Sequence, residues 1–260
     1  MAREGVFVGQ DMDFAGKVAI VTGAGQGIGR TVGEILAARG AAVAVVDLDV
    51  ARAETVAKAL AGGGAKARAF VIDLARKDMV DQMVREVVDD WGRVDVLVNN
   101  AGWTRNQPFV DDTPDYWDRI IDVNYKAQIY TCRAVLEPMM RQGGGSIVNV
   151  ASDAARVGSP RQCVYAGAKA AVIGFSKALV TEVSKHNIRI NVVSPSTTDT
   201  PLTRQALTPE QIERREKAIP LGRIGRPEDQ ANAIVFFASE ASSYITGQIL
   251  SVNGGSSRPG

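Results

Sequence analysis

The sequence predicts an α/β fold in one domain, a doubly wound sheet of about seven parallel strands with helices on both faces. Three observations predict it. Short apolar runs recur along the chain, and each is followed by a stretch with helical character. The runs are apolar nearly throughout instead of alternating, as strands buried on both faces require. No internal repeat, low-complexity tract or Pro/Ser linker divides the 260 residues, a length that suits one large core and a single domain over 1–260.

The elements follow in order. KVAIVTG (17–23) is the first strand, closed by glycine, and a helical pattern carries from there to about Arg39. AAVAVVD (41–47) is the second, followed by an Ala-rich helix to about Leu60. AKARAFVID (65–73) and VDVLVNN (94–100) are the third and fourth, separated by a charged helix over 77–91. Thr113 and Pro114 form an N-cap and first-turn pair that starts a long helix with Pro138 near its end. GSIVNVAS (145–152) is the fifth strand, a helix over about 163–186 leads to IRINVVS (188–194), and QILSVNGG (248–255) is the seventh. The stretch 195–210, with Pro195, Pro201 and Pro209, is the long irregular interruption and a candidate lid.

Composition narrows the function classes. Thirty basic and twenty-nine acidic residues leave a net charge of +1, with no basic run, so neither nucleic acid nor an anionic membrane surface is an expected partner. The N-terminal residues 1–14 lack an apolar signal core and are expected to be a short leader. The apolar runs fall short of the roughly 18 residues of a membrane span. Cys132 and Cys163 make no disulfide framework or metal-ligand spacing, which points to a reducing, cytoplasmic setting, and Cys163 is expected to be a small buried residue. The single histidine, His186, leaves no His-rich metal site and is expected at a helix end, where it meets the dipole's negative pole.

The chemistry concentrates at the ends of the predicted strands. TGAGQGIGR carries Gly23, Gly27 and Gly29, with Gln26 and Ile28 between them, after a strand and before a helix. Such a turn lets backbone amides approach a diphosphate, although tight strand–helix turns use glycine as well. The GK[ST] ending of a nucleotide triphosphatase loop is missing. Asp47 ends the second strand at the place of a ribose-binding acid. A carboxylate there accepts from both ribose hydroxyls and repels a 2′-phosphate, favouring NAD over NADP; the plainer reading is an Asp that caps the next turn. Asp73–Leu74 and Asn100–Ala101–Gly102 fall at the ends of the third and fourth strands, where open α/β sheets bind ligands and where turn residues are also common.

Tyr165 and Lys169 are one helical turn apart and share a face, with only Ala166, Gly167 and Ala168 between them. An ammonium beside a phenol is expected to lower its pKa from near 10 by roughly one to three units, giving a histidine-poor chain a usable acid/base. YxxxK alone is a weak signal.

Together, TGAGQGIG, Asp73, NNAG (99–102), Asn124 in DVN, Ser152, YAGAK and ITGQILSVNGG resemble, in order, the classical short-chain dehydrogenases/reductases over about 15–255. The resemblance implies a Rossmann-type fold and hydride transfer with NAD. It implies Tyr165 as general acid/base, with Lys169 on the nicotinamide ribose and stabilising the phenolate. Ser152 would meet the substrate oxygen, Asn124 would keep a water in the proton path, Asp47 would select the cofactor and Asp73 would approach the adenine. It departs from the family at 195–200, PSTTDT, where Pro-Gly is usual. Ser196 raises the question of a strained backbone, Thr198 keeps a backbone for the carboxamide, and Thr200 keeps the expected hydroxyl.

NNAGW and SDAARVGS look most like members acting on cyclic secondary alcohols, 2-hydroxycyclohexanecarboxyl-CoA dehydrogenases among them. Trp103 after NNAG, Arg156 and Val157 after the serine, Cys163, and the 195–210 loop with Ser196 are the expected pocket walls. Arg156 and Arg161 could meet a carboxylate or a CoA phosphate, or be solvated surface residues. The alternatives are an NADPH-dependent 3-oxoacyl-thioester reductase and a non-catalytic binding subunit of the same fold. The resemblance also implies a homotetramer paired through 114–139, 163–186 and the C-terminal region.

Overall fold

The computed structural model describes residues 12–258. Most of the expected leader lies outside them; of its last residues, Phe14 is buried in the core and its amide bonds Arg39 O at 2.9 Å. The seven strands are β1 (Val18–Thr22), β2 (Ala42–Asp47), β3 (Ala67–Val71), β4 (Val96–Asn99), β5 (Gly145–Val150), β6 (Ile188–Pro195) and β7 (Ile249–Val252). All pair in parallel, in the order β3-β2-β1-β4-β5-β6-β7. The order reverses between β1 and β4, so the carboxyl ends of those two strands open a crevice.

Residue alternation sorts the strands into two cores. Ala19, Val21, Val43 and Val45 face a layer of α1 (Gly27–Ala38), α2 (Val50–Gly62) and α10 (Pro227–Ala238). Val18, Ile20, Ala44 and Ile147 face α3 (Lys77–Trp91), α5 (Ala127–Arg141) and α7 (Cys163–Val183). Both sets are buried, which is why the central strands β1, β2 and β4 are apolar up to their last residue.

Thr113 caps α4 (Pro114–Ile121) through its side chain, with Pro114 in the first turn as the sequence predicts. The long helix does not run unbroken into α5. A π-helical turn over Asp122–Lys126 separates them and carries Asn124. A short helix, α6 (Ala154–Val157), follows β5. The expected irregular stretch 195–210 corrects to two helices, α8 (Pro201–Ala206) and α9 (Pro209–Ala218), each capped by a threonine, Thr200 and Thr208. His186 ends the helical turn after α7 as expected.

α7 contains no uninterrupted apolar run of span length, yet its overall composition is apolar. The helix Cys163–His186 is 24 residues with mean hydropathy 1.4, long and apolar enough by length and composition to cross a membrane. Here it lies in a helical layer, burying Ala168, Lys169, Val172, Ser176 and Val183.

Candidate active site

The glycine turn after β1 is shaped by sterics. Gly23 and Gly27 adopt φ of 63° and 55°, the left-handed region open to glycine. A Cβ on Gly29 would fall inside contact distance of Gly23 O and lie 2.5 Å from Asn100 Nδ2, so α1 could not dock with any larger residue there. A Cβ on Gly27 would meet Thr200 at 3.2 Å, which places the β6–α8 connection over this turn. Gln26 caps α1 with extended backbone and no side-chain bond. The amides of Gly27, Ile28 and Gly29, in the first helical turn, have no intrahelical acceptor. Ile28 contributes backbone only, because its side chain packs against the core. Leu74 likewise packs its side chain into the opposite core.

Asp47 leaves β2 with both oxygens engaged: Oδ2 accepts from Gly25 N and Oδ1 from Asp49 N, each at 3.0 Å. The turn-capping role is therefore present. It also fixes a half-buried carboxylate beside the glycine turn. The sequence shows no arginine directly after Asp47, but in space Arg52 is close. Its Cβ would meet a Cβ on Gly25, and its guanidinium pairs with Asp49 at 3.1 Å. Asp73 caps its own turn through Ala75 N at 2.9 Å. Asn100 donates to Thr22 O and Gly23 O at 3.1 and 3.2 Å, locking the ends of β1 and β4 together. Thr22, which the residue patterns do not single out, accepts from the amides of Asn100 and Ala101 at 3.0 and 3.1 Å.

The opposite wall holds the expected set. Lys169, 2 % exposed, donates from Nζ to Val150 O at 2.8 Å and sits 5.9 Å from the centre of the Tyr165 ring. A Cβ on Gly102 would meet Lys169 Nζ at 3.4 Å and Asn124 Oδ1 at 2.9 Å, so glycine keeps this corner open. Ser152 hydrogen-bonds the Tyr165 phenol, and its Oγ accepts from Ala154 N at 3.2 Å. The fold thus joins Ser152, Tyr165, Lys169, Gly102 and Asn124 at the carboxyl ends of β4 and β5.

One expectation changes here. Burial pushes the Tyr165 phenol up, the Ser152 hydrogen bond lowering it by less, so the expected depression by Lys169 is not found. Burial instead lowers Lys169 from 10.5 to about 8. Asn124 is wholly buried and its side chain bonds only backbone: Nδ2 donates to Trp103 O at 2.7 Å and Ile120 O at 3.0 Å, and Oδ1 accepts from Trp103 N at 3.2 Å. The side chain clamps the loop after β4.

The expected pocket-wall residues sit on different elements. Trp103 packs on Tyr116 and under Arg119. Arg156 donates to Ser251 Oγ at 2.9 Å and so ties α6 to β7. Cys163 corrects to exposed, because it opens α7 at its outer end, whereas Cys132 is buried and its thiol pushed up to about 12 by desolvation. Arg161 is exposed in the left-handed region, φ 68°, and its carbonyl accepts from Gln107 N at 3.2 Å. Ser196 is free of positive φ, so a serine costs no strain where glycine is usual. Pro195 pairs with Val252, and its carbonyl accepts from Asp153 N at 2.8 Å. Thr198 bridges Gly225 through its neighbours, Asp199 N and Thr197 O, which turns Thr198's own amide and carbonyl to the other side.

Sequence reasoning missed Asp153. It is 7 % exposed, and its Oδ2 accepts from Asn253 Nδ2 and Ser257 Oγ, each at 2.7 Å, pinning the C-terminal segment beside Ser152. The signal available was a carboxylate directly after the strand-end serine, which gives no hint of a partner a hundred residues away.

A glycine cradle at a helix N-terminus, a fixed strand-end carboxylate and a Tyr–Lys–Ser set across the crevice define a dinucleotide-dependent oxidoreductase. The comparisons agree. Residues 23–257 match the family model described as enoyl-(acyl carrier protein) reductase. The 3-oxoacyl-[acyl-carrier-protein] reductase FabG of Thermotoga maritima is 39 % identical over 94 % of this chain and 99 % of its own. FabG of Escherichia coli is 38 % identical over 94 % and 98 %. A 7α-hydroxysteroid dehydrogenase solved with NADH and 7-oxoglycochenodeoxycholic acid superposes with a TM-score of 0.92 at 33 % identity, covering 96 % of this chain and 98 % of that one. The chain belongs to the classical short-chain dehydrogenases/reductases.

Proposed function

We propose that this chain interconverts a ketone and a secondary alcohol with NAD(H). The observation that carries the reading is the single constellation of Ser152, Tyr165 and Lys169 facing the glycine turn. A bound nicotinamide would supply or take the hydride. The amides at Gly27–Gly29, the backbone at Asn100–Gly102 and Thr198, and the side chains of Asp47, Thr200 and Lys169 would hold it. Asp73 and Leu74 would border its adenine.

In reduction, the Tyr165 phenol gives its proton to the carbonyl oxygen while Ser152 donates a second hydrogen bond to it. In oxidation, the phenolate takes that proton back. Lys169, tied to Val150 O, offers its remaining N–H groups to the phenol side. Because burial raises Tyr165, oxidation should gain about tenfold in kcat/KM per pH unit below the phenol's pKa, while reduction stays level and then falls above it. Identical profiles in both directions would rule Tyr165 out as the acid/base.

Asp47 supports NAD(H) over NADP(H), since its fixed carboxylate repels a 2′-phosphate. Wild-type protein should bind NADH more tightly than NADPH by fluorescence titration, and Asp47→Asn should narrow the preference by about tenfold. Tighter NADPH binding by the wild type would overturn the assignment.

On the substrate, the FabG relatives favour a 3-oxoacyl thioester, and they favour it over the ring alcohol that the sequence suggests. The likeness to a 7α-hydroxysteroid dehydrogenase keeps a cyclic secondary alcohol as the second reading. Monitoring NADH with 3-oxobutanoyl-CoA and with cyclic ketones separates the two, and turnover of neither class would sink both.

The same reading carries a cytoplasmic enzyme with free cysteines and a homotetramer. Support for assembly comes from α7, which is apolar yet leaves most of its surface outside the core of one copy.

A further inference from the structure

The loop after β4 and the adjoining α4 together present two guanidinium groups, Arg105 and Arg119, on an aromatic platform. Arg119 Cζ lies 4.4 Å from the centre of the Trp103 ring, and Arg105 Cζ lies 5.8 Å from Trp103 and 5.9 Å from Tyr116. Trp103 and Tyr116 meet edge-on at 5.7 Å. The platform is held from below. Asn124 clamps the Trp103 backbone at both ends, and the Tyr116 hydroxyl donates to Arg105 O at 3.0 Å and accepts from Arg105 N at 3.3 Å.

Neither arginine has a carboxylate partner among the described residues. Arg119 makes only its ring contact, and Arg105 only a 3.5 Å contact to Gln107 Oε1 besides its rings. Acids are near in sequence, but Asp112 accepts from Gln107, Asp115 lies in the first turn of α4, and neither Asp111 nor Asp118 pairs with Arg105 or Arg119. A guanidinium held over a ring face keeps its N–H groups available to an anion's oxygens. The platform also borders the chemistry. Trp103 follows Gly102, whose Cβ position is 3.4 Å from Lys169 Nζ, and Gln107 of the same loop bonds Arg161 ahead of Tyr165.

We propose that Arg105, over Trp103 and Tyr116, and Arg119, over Trp103, form a subsite for an anionic group of the substrate, a carboxylate or a thioester carrier's phosphate. The proposal rests on the oxidoreductase reading, and it assigns the end of the substrate remote from the reacting carbonyl.

Paired ligands test it on the NADH-loaded enzyme by calorimetry: cyclohexanone against 3-oxocyclohexanecarboxylate, and ethyl 3-oxobutanoate against 3-oxobutanoyl-CoA. The anionic member of a pair should bind about tenfold or more tightly, and Arg105→Gln/Arg119→Gln should erase most of that advantage. Loss with the ring pair alone identifies a carboxylate, and loss with the CoA pair alone identifies a phosphate. Raising the salt from 50 to 500 mM should shrink the advantage in the wild type, a readout that needs no variant. An advantage that survives both the double substitution and salt, or no advantage in the wild type, overturns the subsite. Absence of turnover on every ligand would instead sink the oxidoreductase reading, because the binding ratios do not depend on catalysis.

Discussion

Tyr165→Phe is expected to lower turnover by about 10³-fold in both directions while NADH binding changes by less than a few fold. The substitution removes one oxygen and leaves the ring, so the packing at the head of α7 and the glycine turn across the crevice are untouched. What disappears is the group proposed to move the proton. Ser152 keeps its place through Ala154 N and can still hydrogen-bond a carbonyl, but it has no base to exchange a proton with. Its hydroxyl alone therefore supports only residual turnover. Stopped-flow NADH oxidation together with an NADH titration checks both halves, and wild-type turnover in the variant would remove Tyr165 from the mechanism.

Lys169→Met is expected to abolish most turnover, by about 10²-fold or more, and at the same time to stabilise the fold near neutral pH. Burial holds the amine near 8 instead of 10.5, a difference worth about 3 kcal/mol. The sign follows from linkage. With the folded pKa below the unfolded one, the unfolded chain holds more protons between 8 and 10.5, so the lysine's penalty is full below about 8 and fades as pH rises toward 10.5. Methionine removes the penalty but leaves Val150 O without its donor, a cost of about 1–3 kcal/mol. The variant should therefore have the higher Tm at pH 6 and lose that lead by pH 10.5. A Tm difference independent of pH would show that the burial of Lys169 is not what costs stability.

That trade describes the site generally. A buried lysine and a phenol withdrawn from water are poor choices for stability and useful ones for proton transfer. The structure holds them with short backbone contacts: Val150 O beneath Lys169, Ala154 N beneath Ser152, and Trp103 backbone on both ends of Asn124.

Much of this was legible in the residues. The helix over 77–91 and the Thr113–Pro114 start are where the pattern placed them, because periodic apolar faces and caps are local signals. α8 and α9 were not legible. They bury no residue, so no apolar stripe marks them, and they are held by threonine caps and prolines that also spell a loop. The π-turn at Asn124 escaped for a related reason: its sequence continues an ordinary helix, and only the clamp on Trp103 distinguishes it.

The sequence by itself determined the parallel sheet, the glycine turn and the one-turn pairing of Tyr165 with Lys169, since each is written in local residue pattern. Tertiary structure alone decided their state. Whether Tyr165 is raised or lowered depends on how much water the fold removes from it, and a one-turn spacing to Lys169 carries no information about that. The same holds for Arg156 on Ser251, Asp153 on Asn253, and the two arginines on Trp103. Each partner is distant or ambiguous in sequence, and burial and long-range pairing are properties of the packed whole.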